Sequence, residues 1–202
     1  MRLKFALMLM GLSAVAAFSQ VSNQGPFGFK AGMTREQIIQ IVGQSAVIST
    51  SKDSVLRLTT APSPHAAFES YLLAISPKSG VVKIRAIGKD INTNGFGEQL
   101  KSAYLDIQKA VTSAYGSPER SFDFLQSGSI WTESNHWMMG LFKEERTLAT
   151  FWSPQQHVNH VTSIQLEAVP LSSSVGYISL SYELEGFAEY INSEKAKTNS
   201  VF

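Results

Sequence analysis

The sequence contains no cysteine. That absence removes disulfide staples, thiol nucleophiles and cysteine-ligated zinc sites. It also leaves no thiol to carry a lipid at a processed N-terminus. Histidine is scarce, with four residues in the chain. Neither sign of charge dominates: 17 Lys and Arg stand against 16 Asp and Glu. Nothing in that balance calls for nucleic acid or an anionic membrane as partner. Beyond Phe18 no apolar run approaches the roughly 18 residues that cross a bilayer. No serine sits in a Gly-x-Ser-x-Gly turn. No glycine-rich loop carries the lysine of a phosphate cradle.

What is present begins at the N-terminus. Arg2 and Lys4 precede an apolar stretch, Phe5 to Phe18, that is too short to span a membrane and ends among small residues. Residues 1–19 are therefore expected to be a cleaved secretory signal. With Arg2 and Lys4 removed, 15 basic residues face 16 acidic ones. The expected address is the periplasm or the outside of the cell, with no integral membrane segment in the mature protein. Without disulfides, a chain in such a compartment relies on its own core.

Thr34 followed by Gln37 predicts a capping box, with Met33 as a hydrophobic staple and Ile38, Ile39 and Val42 as an apolar stripe ending at Gly43. Strands are expected at 55–60, 68–75 and 81–87, the last two forming a hairpin around Ser76 to Gly80. Leu100, Tyr104, Ile107, Val111 and Ala114 or Tyr115 mark an amphipathic helix of about four turns, ended by Gly116. Further strands are expected at 121–125, 130–133, 137–142, 147–152, 161–168 and 177–184. The order of elements in the second half repeats that in the first. Glu69 to Pro77 also resembles Glu145 to Pro154, each running into a Ser-Pro turn. The pattern predicts an α+β fold of two tandem helix-plus-antiparallel-meander modules. Residues 20–95 and 96–191 would be the modules and 192–202 a flexible tail.

The stretch Gly28-Phe-Lys-Ala-Gly-Met-Thr-Arg-Glu-Gln-Ile-Ile-Gln-Ile-Val-Gly43 resembles the opening of the SmpA/OmlA family of outer-membrane assembly lipoproteins. In that family a Gly-Met-Thr segment starts a helix ahead of a three-stranded sheet. The tandem arrangement is similar to that of beta-lactamase inhibitor proteins. The resemblance implies a protein-binding scaffold of the cell envelope without a catalytic centre. Gly32, Met33, Thr34 and Gln37 carry over as a helix start. The lipid-bearing cysteine of the assembly factors and the cysteine pairs of the inhibitors are both absent here.

Candidate chemistry is thin. Ser76 and Ser153 precede prolines without an attendant histidine. His157 and His160 are three apart, but a zinc site takes three or four protein ligands; His65 and His136 stand alone. Asp90, Asp106, Asp123 and Glu133 are scattered, and paired carboxylates would have to converge. No enzyme activity, cofactor or metal is expected. Aromatics offer more, since Trp and Tyr concentrate at interfaces. Trp131, Trp137, Phe142, Phe151 and Trp152 crowd the second half, where Met138 and Met139 add adaptable side chains. These rings either fill the core or form a patch on the far face of the sheet. Trp131, Trp137, Met138 and Trp152 are the binding-surface candidates, with Trp131 and Trp137 expected on the far face and Trp152 buried near its turn. The expected role is non-covalent binding of another envelope protein or peptide, as an assembly factor or inhibitor. The alternative is a periplasmic lipid or small-molecule binder.

Overall fold

Thr34 and Gln37 close the expected capping box in the computed structural model, which describes residues 25–48, 53–155 and 158–199. The Thr34 N–H donates to Gln37 Oε1 at 2.9 Å, and the Gln37 N–H donates to Thr34 Oγ1 at 3.4 Å. The cap starts helix α1, Arg35–Val42, which ends at Gly43 and buries Ile38. Thr34→Ala should cost about 1 kcal/mol, lowering the melting temperature by roughly 3 °C in a circular-dichroism melt. An unchanged melt would mean that packing alone holds α1. The signal segment and residues 200–202 lie outside the described residues.

The lead-in to α1 does more than start a helix. Val81 N–H donates to the Met33 carbonyl at 2.9 Å, and Gly32 N–H approaches the Val81 carbonyl at 3.5 Å. The Gly-Met-Thr segment is thereby fixed to strand β4, Gly80–Gly88, which forms a hairpin with β3, Phe68–Ser76. Ser76 Oγ holds that hairpin's turn by accepting the N–H groups of Lys78 and Ser79 at 3.2 and 3.3 Å.

Among the described residues nine strands make one antiparallel sheet. The others are β1 (Val47–Ile48), β2 (Val55–Leu58), β5 (Ile91–Asn92), β6 (Arg120–Leu125), β7 (Arg146–Trp152), β8 (Val161–Pro170) and β9 (Val175–Leu184). Their order is β1-β2-β3-β4-β9-β8-β7-β6, with β5 beside β9. One meander, β1–β4, comes from the first half of the chain and a second, β6–β9, from the other. They join edge to edge where β4 pairs with β9. The fold is α+β, and its apolar core draws on both halves.

Register explains which residues are inside. Leu56, Leu73, Ile84, Tyr182, Ile164 and Trp152 stand opposite one another in a row crossing six strands, and all are buried. Helix α2, Glu98–Tyr115, covers this inner face with Leu100, Tyr104, Ile107 and Val111, the positions expected from its periodicity. The outer face is polar along its middle. Lys83 pairs with Glu183 at 3.0 Å, and Arg85 bonds Ser179 at 2.8 Å.

Three local expectations fail. Residues 137–142 form a helix, α3 (Trp137–Phe142), rather than a strand. Trp-Met-Met-Gly-Leu-Phe is apolar almost throughout, so no alternation could tell strand from helix. Residues 130–133 are loop, leading to a 3-10 turn at Ser134–His136. The segment expected to fray from 192 lies within helix α4, Phe187–Asn199. Buried Tyr190 and a Lys83 ammonium 4.7 Å above the Phe187 ring anchor α4 from its first turn. Among the described residues no helix is long and apolar enough to cross a membrane.

Candidate functional site

Of the four candidates, Trp137 and Met138 turn out to be core, and Trp152 is buried as expected. Trp137 is 4% exposed. Its ring packs against Gly97, with the Lys101 ammonium 4.3 Å and the Arg146 guanidinium 5.8 Å from its centroid. Burial holds the pKa of Lys101 below its ordinary value. Met138 is fully buried on the same helix, and Trp152 ends the inner row described above. Trp131 is half-buried in the loop after β6, edge-on to His136 at 5.7 Å. These residues cannot form the expected patch. The short α3 folds Trp137 and Met138 inward, whereas a strand would have turned one of them out.

The polar candidates are not brought together either. His160 Nδ1 lies 2.8 Å from Glu185 Oε2, while His157 falls outside the described residues. Asp123 is paired with Arg146 at 2.9 Å, and Ser153 donates to Glu119 at 2.5 Å. Among the described residues, no three His, Asp or Glu side chains are grouped to hold a metal ion.

The exposed aromatic surface lies elsewhere, on strand β6. This strand is exposed on both sides from Arg120 to Phe124, and its two rings take the outer face. Ser121 and Asp123 point to the inner side. There Ser121 Oγ lies 2.9 Å from Thr150 Oγ1 and accepts from Gln108 at 3.3 Å. Tyr104 OH joins the group at 2.6 Å from Thr150, and its burial raises the phenol pKa to about 12. Polar anchors beneath β6 therefore take its polar side. Phe122 and Phe124 are turned to the outer face, 37% and 47% exposed. They pack edge-to-face at 6.1 Å, and Phe122 meets Phe151 of β7 at 5.9 Å. Along the row Ser179, Glu167, Ala149 and Phe122, the outer face passes from polar to apolar as β6 is reached.

A slot opens beside this patch. The β7–β8 register stops at Ala149 opposite Glu167. Beyond it β7 stays with β6 while β8 stays with β9. The space between is about 360 Å³, lined by Leu141, Phe142, Leu148, Ala168, Val169 and Pro170, with Glu144, Arg146 and Glu167 also at its walls. Phe142 is exposed on one side of it, and Leu171 is exposed just past Pro170.

No protein-family model matches the chain, and no curated protein or solved structure matches it either. The site therefore rests on its own geometry. One signal for it was present in the sequence: the alternation of Arg-Ser-Phe-Asp-Phe over 120–124. It marks a strand with one apolar side, but not which way that side faces.

Proposed function

We propose that the protein is a non-catalytic binding module of the cell envelope, directed to the periplasm or outside the cell by residues 1–19. It holds a segment of another protein or peptide against the outer face of β6 and β7. The observation that carries this reading is the pair of rings on the outer face of an edge strand: Phe122 and Phe124 pack against each other there, 37% and 47% exposed. Clustered exposed rings of this kind are the usual anchors of a protein interface. The likeness of Gly28–Gly43 to SmpA/OmlA domains supports a role in envelope assembly. We read the two halves as related modules whose meanders meet at β4 and β9.

The slot between β7 and β8 favours a second reading, a carrier of a lipid or small ligand. At about 360 Å³ it is at the small end of ligand pockets.

An affinity pull-down from envelope extracts, run with the parent and with Phe122→Ser/Phe124→Ser, tests the first reading. Both side chains are exposed, so the double variant should melt within about 3 °C of the parent. Partner recovery should fall about tenfold or more, the equivalent of about 1.4 kcal/mol. Equal recovery by both proteins would sink the reading. A bound lipid seen by native mass spectrometry, with no protein partner, would favour the carrier.

A further inference from the structure

We propose that β6 is a dimerisation edge that takes a second copy of the same chain, strand against strand, across a two-fold axis. The inference goes beyond the binding role above and does not depend on it. Among the described residues strand β6 ends the sheet, with β7 on one side and no strand on the other. Gln126 N–H donates to the Glu145 carbonyl at 2.7 Å, one step past the pairing of Leu125 with Arg146. Antiparallel bonding alternates along a strand. The backbone groups of Phe122 and Phe124 are therefore spent on β7, whereas those of Ser121 and Asp123 point away from the sheet. Such an edge is a template for another strand.

A two-fold axis perpendicular to the sheet keeps outer faces together, so one residue of β6 must meet its own copy. Charge decides which residue that is. Centring on Asp123 sets that carboxylate against itself. Centring on Ser121 sets Asp123 against Glu119 of the second copy. Centring on Phe124 requires Gln126 to continue the strand, but there the chain turns, with Ser129 N–H on the Gln126 carbonyl at 3.2 Å. Centring on Phe122 avoids all three faults. Asp123 then faces the Ser121 hydroxyl, Arg120 faces the Phe124 ring, and the Phe122 rings face each other across a closely spaced, non-hydrogen-bonded pair. The charges that oppose the other registers meet no like charge in this one. The dimer also doubles the outer aromatic face, placing the Phe122 and Phe124 rings of both copies side by side.

The lack of cysteine makes the test clean. The purified protein should sediment as a dimer in the micromolar range, and Phe122→Glu should sediment as a monomer with unchanged circular dichroism. Single variants Ser121→Cys, Phe122→Cys and Asp123→Cys are then mildly oxidised. Residues facing each other in a non-hydrogen-bonded pair fall within disulfide reach, so Phe122→Cys should cross-link about tenfold more than either neighbour. Arg120→Cys mixed with Phe124→Cys should cross-link between the two proteins, giving a second reading that leaves Phe122 in place. A monomeric parent would overturn the proposal. So would a dimer that cross-links best through Asp123→Cys, or one that yields no mixed Arg120–Phe124 product.

Discussion

Gly80→Ala is expected to destabilise the protein by about 3 kcal/mol or more, lowering its melting temperature by roughly 10 °C. Two effects combine at this position. The backbone is left-handed, with φ at +62°, and a Cβ would sit 2.3 Å from both the carbonyl carbon and oxygen of Gly32. It would also lie 2.6 Å from the Met33 oxygen. Those are backbone atoms, held by the bond from Val81 N–H to Met33. They cannot move aside without lifting the lead-in of α1 off β4. Gly128→Ala is the control. Its φ is +86°, but a Cβ there meets nothing within 4 Å, so only the backbone term remains, about 1 kcal/mol. Thermal melts of the two variants separate the terms. Equal losses would mean that the lead-in is not seated on the hairpin turn.

The second large effect belongs to Trp137→Ala, which should lose about 3–5 kcal/mol as a buried aromatic truncation. The ring fills the space between Gly97, Lys101 and Arg146. Trp131→Ala should cost far less, because its ring is half-exposed. Chemical denaturation of the two variants would show the difference as a shift in midpoint. A Trp137→Ala protein as stable as its parent would contradict the burial. The contrast bears on any binding experiment. Loss of a partner in Trp137→Ala reports unfolding, whereas loss in Phe122→Ser/Phe124→Ser reports the surface.

Local rules carried much of the fold. The Thr34–Gln37 capping box, the stripe from Leu100 to Val111 and the hairpin around Ser76 to Gly80 all follow from short-range chemistry, and each is present. The α+β class is present too, but the joining of the two meanders through β4 and β9 was not fixed by local rules. Where the reading failed, the deciding force was not local. Trp137–Phe142 suits either a strand or a buried helix, and packing against β7 and β8 selects the helix. In Phe187–Asn199 most positions are polar, so the contacts of Phe187 and Tyr190 with distant parts of the chain were invisible. The candidate site went astray for a related reason. Tryptophan was weighted by type, but Trp137 is interior, and the paired exposed rings are phenylalanines on β6. Their direction depends on Thr150, opposite Ser121 on β7, and on Gln108, which reaches β6 only once α2 lies across the sheet.

The β4–β9 pairing sets the timing of folding. Lys83 and Glu183, which bond at 3.0 Å at the centre of the sheet, are 100 residues apart in sequence. Strand β9 is also the last of the described strands to leave a ribosome. Until it arrives, β4 and β8 each lack a neighbour, and Ile84 lacks Tyr182, its opposite number in the core. Such distant pairings close slowly, so the chain cannot lock into its native sheet before β9 has been made. A truncation that removes β9 should forfeit both meanders rather than release a stable first half.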